Sequence, residues 1–134
     1  MSFTFAIIGG GLTGTAMLHL FVEKVRQEID LNLLNPSEIK IQIFEKQDIF
    51  GPGFPHCDRN VMPFHITNMC AKDMGIRLEN PSDFQEWASA HQHDLKALWP
   101  DLDDVSDNPD RCNHYPRAAM GAYLKEKFQE AYEW

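Results

Sequence analysis

The sequence predicts an α/β fold, and three observations lead there. A short apolar run near the start, Phe3 to Ile8, ends in glycines. A stretch with helical spacing of apolar residues follows directly, and a second strand-like run, Ile39 to Phe44, comes after it. Two strands joined by a helix of this length are parallel neighbours linked by a right-handed crossover, the βαβ unit.

The first run, FTFAII, is β-branched and aromatic and stops at turn residues, which reads as a buried strand. From Leu12 to Ile29 the residues Met17, Leu18, Phe21, Val22, Val25 and Ile29 recur at spacings of three and four, the pattern of an amphipathic helix. Asn35-Pro36-Ser37 is a turn. Ile39 to Phe44 alternates apolar and polar residues, and this strand ends at Glu45. Gln47 to Pro81 is punctuated by Gly51, Pro52, Gly53, Pro55, Pro63 and Gly75 and is expected to be irregular. A loop that long inside a domain is usually functional.

Ser82 is expected to cap a helix, with Gln85 completing a capping box and Asp83 favouring the positive helix end. Phe84, Trp87, Ala88 and His91 form its apolar face, Pro100 closes the segment, and an acidic linker runs from Asp101 to Asp110. Pro116 opens a last helix, where its missing N–H costs nothing, and Met120, Tyr123, Leu124, Phe128 and Ala131 share one face. The expected organisation is one domain over 1–134: a βαβ unit at 1–46, a loop at 47–81 and a helical segment at 82–134. Two strands leave sheet faces and edges without neighbours. The sheet is therefore expected to be incomplete, the chain being the front portion of a larger protein.

Hydrophobic residues make up 43% of the 134 residues and mean hydropathy is -0.39, as in a globular chain. No apolar run approaches the ~20 residues of a membrane-spanning helix, and the N-terminal residues lack a basic, apolar leader pattern. Twenty acidic residues against 12 basic ones give a net charge of -8, a field that repels nucleic acid and anionic membranes. Acids crowd the stretch from Ala71 to Asp110, where only Lys72, Arg77 and Lys96 are basic, and the glycine-rich start escapes them. Cys57, Cys70 and Cys112 are odd in number and irregular in spacing, so free thiols and a reducing, cytoplasmic setting are expected.

Gly9-Gly10-Gly11-Leu12-Thr13-Gly14 matches G-x-G-x-x-G. Gly9 permits the turn out of the strand, Gly11 lets a pyrophosphate approach the backbone, and Gly14 lets the helix lie close to the strand. The unpaired N–H groups and positive dipole of the first helical turn suit phosphates. The strand before, the helix opening within and the acidic Glu45 closing the next strand supply the context for dinucleotide binding. Glu45 suits ribose hydroxyls and repels a 2′-phosphate, which disfavours NADP at this site.

A motif of this kind at the N-terminus, with Glu closing the second strand, resembles the FAD-binding half of two-dinucleotide flavoproteins, a Rossmann-like region. Gly51-Pro-Gly-Phe54, His65-Ile-Thr-Asn68, Pro81-Ser-Asp-Phe-Gln-Glu-Trp87, Tyr115-Pro-Arg117 and Gly121-Ala-Tyr-Leu124 occur in the order seen in bacterial FAD/NAD(P)-binding proteins. The pattern is also similar to flavin-dependent monooxygenases. The resemblance implies FAD as cofactor and, in the complete protein, NAD(P)H and a small-molecule substrate. It implies that Gly9, Gly10, Gly11, Leu12, Thr13, Gly14, Glu45 and Lys46 hold the ADP half, that the 51–75 loop lies near the flavin, and that Thr67, Asn68 and Met69 contact it. Arg117 and Tyr123 match family positions, yet a helix N-terminal contact explains the first equally well and an apolar helix face explains the second better.

The implied activity is that of a flavin-dependent, NAD(P)H-using oxidoreductase. Alternatives are a non-catalytic binding module and an NAD-dependent dehydrogenase domain. No metal site is expected: His56-Cys57 and Cys112-x-His114 lack zinc spacing, and Asp101-x-Asp103 lacks the remaining features of a calcium loop. Cys57 and Cys70 lack the short spacing of a redox dithiol. His91 and His93 show no partner in the sequence and receive no role.

Overall fold

The computed structural model describes residues 2–102 and 111–133; most of the expected acidic linker, Asp103 to Asp110, lies outside them. In chain order the elements are β1 (Phe3–Ile8), α1 (Leu12–Asp30), β2 (Ile39–Phe44), the single turn α2 (Gly53–His56), α3 (Asp83–Ala90), α4 (Gln92–Leu98) and α5 (Arg117–Tyr132). Contacts divide the chain into two compact units, 1–53 with 124–134, and 54–123.

In the first unit β1 and β2 pair in parallel, in register from Phe3 opposite Ile39 to Ile8 opposite Phe44. Both strands have the bounds that the apolar runs predict, and the connection between them is α1, so this is the expected βαβ unit of an α/β Rossmann-like region. α1 ends where Asn32 takes a left-handed φ of 56° and the N–H of Leu33 donates to the Glu28 carbonyl. Asparagine tolerates that conformation better than other chiral residues, which lets it stand where glycine usually stops a helix. Asn35 then caps a short 3-10 turn, Pro36–Glu38, its Oδ1 accepting from the Ser37 N–H.

Ile7 from β1, Leu18 and Val22 from α1, and Phe128 and Ala131 from α5 form the buried core of this unit. Phe5, Ile41, Ile43 and Phe50 pack against it, with Phe50 stacked on Phe128 at 4.9 Å. His19, which the sequence offers no reason to single out, is buried and donates from Nε2 to the Lys127 carbonyl at 2.6 Å. β1 is not the buried strand that its apolar run suggests: Ile7 is its buried residue, Phe3 and Ile8 are exposed, and Phe44 on β2 is exposed too.

The second unit is built around aromatic rings. Phe84 lies 5.5 Å from Tyr115 and 5.2 Å from Tyr123, and Trp87 lies 5.7 Å from Tyr123. The stretch expected to be irregular, 47–81, is so apart from the single turn α2 and one 3-10 turn at Ala71–Asp73.

Three further expectations are corrected here. The capping box does not form: Ser82 has no side-chain cap bond, and its hydroxyl donates instead to the Lys72 carbonyl. The single helix after Ser82 is two helices joined at His91. There the imidazole Nδ1 donates to the Trp87 carbonyl at 2.9 Å and the ring stacks on Trp87 at 4.4 Å, so His91 has a defined partner after all. Nor are all three cysteines free: Cys70 and Cys112 are joined as a disulfide, and Cys57 is the free, buried one among the described residues. Chain spacing carried no sign of this pair, because the fold, not the spacing, brings the two segments together.

Candidate functional site

The glycine turn is shaped by the close approach of backbone to backbone. Gly9 sits at φ 98°, a conformation that L side chains rarely adopt, and its N–H donates to the Phe44 carbonyl at the end of β2. A Cβ on Gly14 would run into the Gly9 carbonyl oxygen, so the first turn of α1 lies directly against the end of β1. This is the packing role the spacing predicts for the last glycine. At Gly11 the space a Cβ would take is bordered by the Cα of Gly53 at 3.2 Å. The Gly51-Pro52-Gly53 turn therefore backs the motif, and the Gly51 N–H donates to the Gly10 carbonyl at 2.7 Å.

Gly11 precedes α1, and the Thr15 N–H makes the first helical bond, to the Gly11 carbonyl. The N–H groups of Leu12, Thr13 and Gly14 consequently have no acceptor within the helix. No acidic residue stands in this first turn, and Leu12 and Thr13 are exposed. A helix start with free N–H groups, a positive dipole and no acidic residue in its own first turn is built to receive an anion.

Glu45 stands beside the motif. Its Oε2 accepts from the Gly10 N–H at 2.6 Å and its Oε1 from the Gln47 N–H at 2.9 Å. These bonds, with Gln47 the larger influence and Gly10 next, hold the carboxyl below its ordinary range, so it is an anion at neutral pH. A carboxylate offers about four acceptor positions, which leaves capacity for ribose hydroxyls after both backbone bonds. Lys46, next in sequence, is exposed. The seven glycine-turn and acidic positions Gly9, Gly10, Gly11, Leu12, Thr13, Gly14 and Glu45 thus come together in the first unit, as their spacing predicts.

The residues expected on the flavin side belong to the second unit. Thr67 is buried, and its hydroxyl donates to the Met69 carbonyl while accepting from the Tyr115 N–H. That hydroxyl is spent on holding its own loop. Asn68 and Met69 are exposed beside it. Arg117 clamps the same loop, with Nε donating to the Ile66 carbonyl at 3.1 Å, a terminal nitrogen to Asn68 Oδ1, and its backbone N–H to the His65 carbonyl. Tyr123 donates to Asp83 Oδ2 at 2.7 Å and accepts from the Ile76 N–H at 3.0 Å. Burial first, and then the Asp83 bond, push its phenol well above the ordinary tyrosine range. Both residues therefore have structural partners. His56, weighed in the sequence only as half of a zinc pair and set aside, has a buried Nδ1 without a hydrogen-bond partner, and burial followed by the nearby Arg117 charge lowers its pKa.

A family model described as FAD-NAD(P)-binding matches residues 6–133. The chain belongs to that family. Membership carries FAD and NAD(P)H as the cofactors and makes the chain a dinucleotide-binding flavoprotein region, in agreement with its glycine turn. Searches of curated proteins and of solved structures found no match. Among the described residues no helix is long and apolar enough to cross a membrane.

Proposed function

We propose that this chain is the FAD-binding part of a flavin-dependent, NAD(P)H-using oxidoreductase, an activity of which monooxygenases are one form. The observation that carries the reading is the first turn of α1, with its N–H groups lacking helical acceptors and no acidic residue within the turn. On this reading Gly9 to Gly14 take the pyrophosphate, Glu45 and Lys46 take the adenosine ribose, and Asn68 and Met69 meet the flavin. Thr67 acts by holding that loop in shape. FAD, when bound, supplies the two-electron chemistry, and the protein's part is binding, orientation and exclusion of water. Use of NAD(P)H fits a cytoplasmic setting, where the reduced nucleotide is made.

The test is the visible absorption spectrum of the protein from its complete reading frame, with the cofactor released by denaturation and identified. A flavin spectrum with FAD in the released fraction supports the proposal, and bleaching by NADH or NADPH then identifies the reductant. A colourless protein that takes up no added FAD overturns the oxidoreductase reading. Preferential retention of NAD transfers the site to a dehydrogenase.

A further inference from the structure

Cys70, Cys112 and His114 meet in the second unit, 42 residues of chain separating the two cysteines. Their segments are already paired without the sulfur bond. The Thr67 N–H donates to the Tyr115 carbonyl, the Ala71 N–H to the Asn113 carbonyl, both at 2.8 Å, and Ile66 bridges Pro116. This ladder keeps the cysteine Cα atoms 4.9 Å apart, inside the range a disulfide requires. With the bond reduced, the same hydrogen bonds hold the two thiols within reach of each other, so opening and reclosing need little movement of the backbone.

The imidazole of His114 gives the pair a base. Its Nδ1 lies 3.0 Å from the Thr67 carbonyl oxygen, which can only accept, so Nδ1 carries the proton. In the neutral ring Nε2 then presents a lone pair, and it lies 3.3 Å from Cys112 Sγ. Cys112 and His114 are exposed and Cys70 is half-buried. Both Cys112 and His114 line a cleft of about 620 Å³ whose apolar walls include Phe64, Leu98 and Trp99. That volume falls within the range of small-ligand sites.

We propose that Cys70–Cys112 with His114 is a thiol–disulfide exchange site that takes a thiol of small-peptide size from this cleft. A thiolate RS⁻ attacks the exposed Cys112 sulfur, an R–S–S–Cys112 bond forms, the Cys70–Cys112 bond breaks, and Cys70 leaves as a thiolate that takes a proton from solvent. A second RS⁻ attacks the R sulfur, releasing RSSR and, beside His114, the Cys112 thiolate, which takes the second proton from solvent. Two external thiols are oxidised to one disulfide while the cystine gains two electrons and two protons. In the reverse direction His114 Nε2 accepts the Cys112 thiol proton and produces the attacking thiolate.

The experiment equilibrates the folded protein with mixtures of reduced and oxidised glutathione, alkylates it and counts thiols by mass. The expected result is reversible interconversion of two thiols, with the buried Cys57 unlabelled, and a trapped glutathione adduct on Cys112. After full reduction, reoxidation by oxidised glutathione at neutral pH is expected to slow several-fold in His114→Gln, a variant that retains both cysteines. In Cys70→Ser, alkylation of Cys112 is expected to slow by a similar factor when His114→Gln is added. A disulfide that resists reduction in the folded protein, three thiols that never pair, a metal ion retained on the cysteines, or rates indifferent to His114→Gln would each overturn the proposal.

Discussion

In the unit formed by 1–53 and 124–134, the chain is held by repeating backbone structure: a parallel strand pair, a long helix and a glycine turn that needs the positive φ of Gly9 and has no room for a Cβ at Gly14. In the unit formed by 54–123, much of the structure is irregular, and individual side chains hold it. Tyr123 ties Ile76 to Asp83, Arg117 ties Ile66 to Asn68, and His114 ties itself to Thr67. The first kind of order repeats along strands and a helix, whereas the second rests on single side-chain bonds between positions 40 or more residues apart along the chain. Substitutions should therefore act differently in the two units: through shape in the first, through lost hydrogen bonds in the second.

The largest effect is expected at Gly14. Gly14→Val places a side chain against the Gly9 carbonyl, and backbone on both sides prevents relaxation. Chemical denaturation should show a loss of about 3 kcal/mol or more, the upper range for a single substitution. A loss below about 1 kcal/mol would mean that shape does not govern the glycine turn.

Next comes Tyr123→Phe, which strands the Ile76 N–H and removes the donor to the buried Asp83, leaving Asp83 with Arg77 at 3.7 Å. The expected cost is about 1–3 kcal/mol. Tyr123 also gives the second unit a dependence on alkaline pH. Its phenol pKa is raised in the folded state above the ordinary 10.0. The folded protein then holds a proton that the unfolded chain loses, so this contribution is complete below about pH 10 and declines as pH rises further. Thermal melts of the wild type should fall in that range, and those of Tyr123→Phe should be flatter.

Glu45 tests function more than stability. Glu45→Gln keeps the shape and removes the charge, and equilibrium dialysis should show FAD retention weakened about tenfold, as expected for hydrogen bonds to a charged group. Because the folded pKa is lowered, the stabilising contribution of Glu45 is present above about pH 4.5 and fades as pH falls through the lower folded value. The variant should lack that part of the acid response. The smallest effect is expected at Asn35→Ala, which removes an exposed cap of a 3-10 turn and should lower the melting temperature by only a degree or two.

The same contrast explains what could be read from the residues alone. β1 and β2 were legible to the residue because alternation, branching and flanking turns all pointed to the same bounds, and the glycine motif was legible because its spacing encodes a backbone geometry. The break at His91 was not, since it depends on a ring that stacks on Trp87 and satisfies its carbonyl. Ser82 has the expected residue type for a cap, but the Lys72 carbonyl competes successfully for its hydroxyl. Cys70 and Cys112 gave no local sign of pairing, and His56 and His114 stood beside cysteines without the spacing of a metal site. Those features follow from tertiary proximity, which residue spacing does not record.

The core of the first unit also imposes an order on synthesis. Ile7, Leu18 and Val22 pack against Phe128 and Ala131, which are made long after them. While the chain grows on the ribosome, the early βαβ unit emerges with that apolar face bare until the later turns of α5 cover it. A nascent chain stalled before Phe128 would thus present a hydrophobic handle to chaperones and proteases, and a chain extended past Ala131 would withdraw it.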